Sequence, residues 1–315
     1  MSVLFKALLC AALYAAFATT DAHALRVASI AQDDTSALAQ ARVALSDQRL
    51  ADADRLVRAY LVDHQVSAEA HYLLALTLFQ EVRPKDSLAE YTRAAQLEPP
   101  SALDLRYVAL DYVLLRDYAD ADTWITRSAR KDGSAGETWY AMGRIKYTEN
   151  RFAEAVESFK KALVYLPQSV KAEDNLGLAL EGLNQPEEAI RAYRQAIAWQ
   201  GGSPHPSEQP LLNLGLLLTD RNELEEALSL LTQAAALAPH NSKVHAALGK
   251  LYRRKGTLPE AQAEFEQAVK AEPNDAALHF QLGQVYRKEG LEERAKAELN
   301  RAASIDGTRS SAEKQ

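Results

Sequence analysis

The sequence predicts an all-α protein, an α-solenoid of about eight helix-turn-helix repeats, and three ladders of small residues carry that prediction. Glycines recur at Gly143, Gly177, Gly215, Gly249 and Gly283. Alanines recur at Ala121, Ala155, Ala189, Ala227, Ala261 and Ala295, and again at Ala162, Ala196, Ala234, Ala268 and Ala302. Every step is 34 residues except one of 38, which all three ladders share. A fixed period of this length marks stacked supersecondary units. Such an array can run through all 315 residues as one body, although length alone would suggest two domains.

The residues between the rungs ask for paired helices. Between Gly136 and Ser169, Trp139, Met142, Gly143 and Lys146/Tyr147 follow a three-four spacing and line one helical stripe. Glu149-Asn150-Arg151 interrupts it, and Phe152, Ala155, Val156, Phe159, Ala162 and Leu163 form a second stripe. Pro167 ends that stripe, because proline cannot continue a helix. The small residues Gly143 and Ala155 let the two helices approach closely, and Phe159 fills the space beside them. Prolines fall where helices start (Pro84, Pro186, Pro259) or end (Pro99, Pro167, Pro239, Pro273).

This pattern resembles the tetratricopeptide repeat, whose W, L-G, A, F, A and P places are taken by Trp139, Met142-Gly143, Ala155, Phe159, Ala162 and Pro167. Leu248-Gly249, Tyr252, Ala261, Phe265, Ala268 and Pro273 match in the next-to-last unit, and Leu282-Gly283, Tyr286, Ala295, Leu299 and Ala302 in the last. The units run 34–67, 68–101, 102–135, 136–169, 170–203, 208–241, 242–275 and 276–309. The first is degenerate, with Gln40-Ala41 and Ala53, and the third has Ala109 in the glycine place. The segment Gly201–Ser207 holds the four-residue insertion, which either bends the array or is a tolerated surface loop. Residues 310–315 read as a disordered tail. The resemblance implies a right-handed superhelix whose first helices line a concave, ligand-bearing face.

The N-terminus reads as an export leader. One positive charge in Met1–Lys6 precedes the short apolar run Ala7–Ala18, and Ala22-His23-Ala24 supplies a small-residue cleavage pattern. Cleavage after Ala24 would leave residues 25–33 as a linker and remove Cys10, the single cysteine. The mature chain would then have no disulfide, thiolate nucleophile or cysteine-ligated zinc, and would be periplasmic or secreted. The alternative is an uncleaved anchor or a frayed cytosolic helix; the apolar run is shorter than the roughly 20 residues of a membrane span. A formal net charge of -7 argues against general nucleic-acid binding.

No catalytic constellation, cofactor motif or metal-ligand spacing stands out, so no catalytic, cofactor or metal residue is assigned. His71, His245 and His279 occupy the place that Trp139 takes in its unit and read as rings packed between helices. Glu187-Glu188, Glu225-Glu226 and Glu292-Glu293 open second helices, where they suit the helix dipole.

The first-helix positions that the resemblance assigns to the concave face are graded. Early units present Tyr72, Phe79, Tyr107, Tyr140 and Arg144, middle units Asn175 and Asn213, and late units Lys243, Lys250, Arg253, Arg254, Arg287 and Lys288. Either these form a groove for a protein or peptide, its basic end taking an acidic segment, or the apolar ones are inter-repeat core and the basic ones a solvated face. Asn213 and Lys243 match two places of the acidic-C-terminus clamp known in the family. Asp174, Leu178 and Ala247 depart from it, so a chaperone-tail clamp is rejected. Asn175 and Asn213 resemble instead the asparagine rungs that hold a peptide backbone. The reading is a non-catalytic scaffold for a partner protein, or else a self-associating solenoid.

Overall fold

The computed structural model describes residues 37–312, with side chains described as far as Gly307. The expected leader and the linker 25–33 lie outside the described residues. These hold sixteen helices and no strand. The chain divides at Pro167/Gln168 into two units, each containing four helix pairs. The first unit comprises α1 (Ala37–Ser46), α2 (Leu50–Asp63), α3 (Ala68–Gln80), α4 (Pro84–Leu97), α5 (Ala102–Leu114), α6 (Tyr118–Lys131), α7 (Gly136–Thr148) and α8 (Phe152–Tyr165). The second comprises α9 (Val170–Gly182), α10 (Pro186–Trp199), α11 (Gln209–Asp220), α12 (Leu224–Leu237), α13 (Ser242–Lys255), α14 (Leu258–Ala271), α15 (Ala276–Lys288) and α16 (Glu292–Ala312). Within each unit a helix packs on its hairpin partner and on the next hairpin, and first helices of successive repeats also touch, as α3 touches α5 and α9 touches α11.

A feature of the turns repeats with the helices. Gln48, Val82, Arg116, Asn150, Asn184, Asn222, Gly256 and Gly290 all take φ of 58–84°. The residue after each donates its N–H back to the first helix, as Arg83 does to the Leu78 carbonyl at 2.9 Å and Arg151 to Lys146 at 2.9 Å. This is the left-handed helix end that satisfies a carbonyl left over by the first helix. Glycine and asparagine suit it, whereas the β-branched Val82 bears the largest strain, on the order of 1–2 kcal/mol.

The glycine ladder is a ladder of close approaches. A Cβ added at Gly143 would lie 2.6 Å from the Phe159 ring, one at Gly177 2.4 Å from Tyr193, and one at Gly249 2.8 Å from Phe265. Each ring is buried beneath the first helix of its own repeat. In the first unit, Leu74, Leu78, Tyr140, Ile145 and Phe159 are fully or almost fully buried. In the second, Ala261, Phe265, Leu282, Val285, Tyr286 and Ala295 form one cluster.

The insertion is tied at its base. The Gln200 side chain donates to the Ser207 carbonyl at 2.9 Å and accepts from the Ser207 N–H at 2.9 Å, while Gly202 turns the chain with φ 83°. At the other end, α16 continues to Ala312. Residues 310–312 are therefore helical rather than tail, because no proline stops the helix and Gly307 interrupts it at a cost of only about 1 kcal/mol. Among the described residues no helix is long and apolar enough to cross a membrane.

Candidate functional site

The early aromatic positions lie in the core rather than on an open face. Phe79 and Tyr107 are buried with ring centroids 5.0 Å apart, which joins α3 to α5. Tyr140 is 1% exposed against Phe159, and the buried Arg144 donates to its hydroxyl at 3.1 Å. Tyr72 is half-buried and donates to the Glu98 carbonyl at 2.7 Å. Burial, with Asp104 and Glu98 nearby, pushes its phenol up to about 12. The physical reason is geometric: a first helix is covered on one side by its hairpin partner and on another by the next first helix. Its apolar stripe is therefore wider than one contact needs, and side chains assigned to a groove fill the second contact.

The asparagine rungs are also engaged internally. Asn213 is buried; it donates to Asp174 Oδ1 at 2.9 Å and accepts from Gln209 Nε2 at 2.9 Å. Asn175 donates to the Lys171 carbonyl of its own helix at 2.8 Å. One amide hydrogen and one oxygen lone pair of Asn213 remain, but the side chain is buried and committed to Asp174 and Gln209 within the unit.

The basic positions of the second unit do reach solvent. Lys243, Arg254, Arg287 and Lys288 are exposed, and Lys250 and Arg253 are half-buried. They are not a patch of unrelieved like charge. Asp220, at the end of α11, lies 2.8 Å from Lys250 and 3.8 Å from Arg254, and its carbonyl accepts from Arg254 at 3.2 Å. Arg253 has a packing role as well: its guanidinium lies 6.0 Å from the Phe265 ring centroid and donates to Gln281 of α15. Arg287 donates to Gln284 at 2.5 Å on the same helix. Exposed pairs of this kind are worth about 0–1 kcal/mol each, so a partner's carboxylate can replace Asp220 at little cost.

The histidines turn out to be more than packing rings. Trp139 donates its indole N–H to the Gly133 carbonyl at 2.8 Å, and Lys161 lies 4.2 Å over the ring. His71, His245 and His279 each place Nε2 3.0 Å from the equivalent carbonyl, of Gln65, Pro239 and Pro273. Each also places Nδ1 against a glutamate of the second helix: Glu90 at 2.6 Å, Glu264 at 2.7 Å and Glu298 at 2.5 Å. The pairs were visible in the sequence as a recurring separation of 19 residues, which a reading for metal or catalytic spacing passes over.

Two acidic groups, one buried and one half-buried, stand apart from this surface. Asp111 of α5 is fully buried with Oδ2 2.6 Å from Ser87 Oγ, and burial, only partly offset by that hydrogen bond, pushes its carboxyl up to about 8. Burial opposes charge on Asp122, but Lys146 and Arg151 outweigh it and hold the carboxyl below its usual range. Both serve to join helices. Among the described residues no group of three or more histidines, cysteines and acids is placed to hold a metal ion.

The comparisons agree with this architecture. Models described as tetratricopeptide or TPR repeat match residues 38–102 and 140–205, 218–266, 249–290 and 276–309. Over 174 residues the chain is 27% identical to the Cell division cycle protein 27 homolog B of Arabidopsis thaliana, covering 53% of this chain and 22% of that protein. Over 166 residues it is 25% identical to Protein FlbA of Caulobacter vibrioides, covering 52% and 27%. The matched segments thus span only about a quarter of those relatives' lengths. Among solved structures, a chain of the APC/C hetero-tetramer Cut9-Hcn1 is similar with a TM-score of 0.62 and 16% identity, over 90% of this chain and 56% of that one. PilW, a type IV pilus biogenesis factor, is similar with a TM-score of 0.55 and 21% identity, over 66% and 91%. With repeat models covering both units, and with helix pairs, glycine approaches and left-handed turns recurring throughout, the chain belongs to the tetratricopeptide-repeat family.

Proposed function

We propose that the protein is a non-catalytic scaffold that holds a partner protein or peptide, and that the first helices of its second unit take an acidic segment of that partner. The observation that carries this reading is the solvent-reaching basic row of α13 and α15, Lys243, Lys250, Arg254, Arg287 and Lys288, on a chain whose net charge is -7. A basic face on an acidic protein steers acidic partners and fixes their register more than it adds raw affinity. The buried aromatic positions of the first unit take no part in this contact. Fold relatives found in a hetero-tetramer and in pilus biogenesis fit a scaffolding role.

The test uses a fluorescent glutamate-rich peptide and a neutral peptide of equal length. Binding of the acidic peptide is expected to weaken several-fold as salt rises, since the Debye length falls from about 10 Å at 0.1 M to about 3 Å at 1 M. Reversing Arg254, Arg287 and Lys288 to Glu together is expected to weaken it further, mostly through slower association. Reversing Arg55 and Arg58 on α2, both exposed, is expected to change little. Equal affinity for both peptides, or no effect of the triple reversal, would leave self-association as the better reading.

The scaffold is also read as exported, on the strength of the charged, apolar and small-residue order of Met1–Ala24. N-terminal sequencing of protein recovered from the cell envelope is expected to begin at Leu25. An intact Met1 there would overturn the leader.

A further inference from the structure

We infer that the His–Glu–carbonyl staple of the seventh repeat, which shares its geometry with those of the second and eighth, depends on protonation: it fastens the first helix to its own second helix and to the preceding loop while the His245 ring carries two N–H groups, and loosens when one is lost.

The inference rests on what the ring nitrogens face. A neutral imidazole has one N–H and one lone pair, whereas a charged one has two N–H groups. In all three staples both nitrogens face acceptors, a carboxylate oxygen at 2.5–2.7 Å and a backbone carbonyl at 3.0 Å. A neutral ring can satisfy only one of them and turns its lone pair on the other. The side chains are only 12%, 14% and 8% exposed for His71, His245 and His279, so water replaces the missing bond poorly. In the fourth repeat, Trp139 reaches the same carbonyl with an N–H that does not titrate in this range, and Ser158 stands where the glutamate would be.

The surrounding charges differ between staples. His71 faces Glu90, which Arg93 also engages, and Arg58 lines the same cleft. His245 faces Glu264, with His240 exposed in the loop beside Pro239. His279 faces Glu298; Arg294 stands on the same helix, and Arg301 reaches Asn274 beside Pro273. Burial works against charge on His245, but its hydrogen bonds to Glu264 and to the Pro239 carbonyl outweigh it and raise the ring above the ordinary value of 6.5. A group raised on folding contributes all its stability below its unfolded value and loses it as pH climbs through the folded one. The seventh repeat is therefore tightest in mild acid and loosens as the solution becomes neutral to alkaline.

Native-state hydrogen exchange on the full chain between pH 6 and pH 8, corrected for intrinsic exchange, tests the inference. Protection of α13 and α14 is expected to fall severalfold across that range. The triple variant His245→Trp, Glu264→Ser, Gln267→Lys transplants Trp139, Ser158 and Lys161 into the seventh repeat and is expected to abolish the fall there. Protection of the first unit, which the variant does not touch, is expected to match the wild type at each pH and serves as the internal control. Should the triple variant not fold, Glu264→Gln alone decides: it removes the carboxylate and is expected to flatten the dependence in α13 and α14. Protection independent of pH in the wild type, or an unchanged slope in the variants, overturns the staple.

Discussion

Gly249→Leu is expected to open the seventh and eighth repeats locally while leaving the first unit as stable as before. A Cβ alone at this position would lie 2.8 Å from two atoms of the Phe265 ring. Phe265 cannot retreat, because it is 1% exposed and packed with Ala261, Leu282, Val285, Tyr286 and Ala295. Overpacking a core of this density costs about 1–3 kcal/mol, and the rigid ring places this site at the upper end. Hydrogen exchange in α13–α16 is the readout, since repeats open semi-independently. Adding Phe265→Ala to Gly249→Leu is expected to recover part of the protection by vacating the space. Gly283→Leu is expected to be milder, because it meets the flexible, half-buried Leu299 rather than a buried ring. Unchanged protection in Gly249→Leu would mean that the two helices do not approach at this glycine.

Asp111→Asn is expected to stabilise the first unit at neutral and alkaline pH and to remove most of the pH dependence expected of the wild-type unit. Ser87 Oγ lies 2.6 Å from Asp111 Oδ2 and 2.9 Å from the Ala75 carbonyl, but a hydroxyl has one hydrogen to give. A protonated Asp111 completes the chain by donating to Ser87, which then donates to Ala75; an ionised one cannot. Asp111 Oδ1 finds no hydrogen-bond partner among the described residues, so nothing there favours the charge. The carboxyl is pushed up to about 8, mainly by burial, against an unfolded value of about 3.9. Stability from this group is therefore complete below about pH 4 and declines by about 1.4 kcal/mol per unit until the pH passes the folded value. The asparagine amide can donate to Ser87 without titrating. The variant is expected to match the wild type near pH 4 and to exceed it by several kcal/mol at pH 8, as measured by urea unfolding. A constant difference between variant and wild type from pH 4 to pH 8 would show that Asp111 does not change its protonation on folding.

Much of the fold was legible because its strongest constraint is local and periodic. Gly177 and Tyr193, or Gly249 and Phe265, belong to one hairpin, and the close approach that requires the glycine sits a fixed distance along the chain from the ring it meets. The candidate site was less legible because it depends on contacts between repeats. Phe79 and Tyr107 carry the pattern of a concave-facing stripe, yet they pack on each other across α3 and α5. Lys250 and Arg254 read as a cluster of like charge, yet Asp220 from the preceding repeat sits beside both. That acid stands 34 residues before Arg254, so the repeat period, used to pair charges as well as apolar residues, could have found it.

The amino-acid sequence by itself determined the helix pairs, their period and the positions where backbones must come close, because backbone hydrogen bonding and the exclusion of side chains at a glycine act within one hairpin. The left-handed turns it did not announce, since Gly256, Gly290 and Asn150 suit that conformation but Gln48, Val82 and Arg116 adopt it as well. Only the tertiary structure decided which face of each first helix stays open, since that depends on how far the next first helix covers it. The tertiary structure also decided the protonation chemistry of Asp111 and His245. Desolvation is set by every atom packed around a group, and around Asp111 those atoms include the neighbouring hairpin, from which Ser87 reaches it.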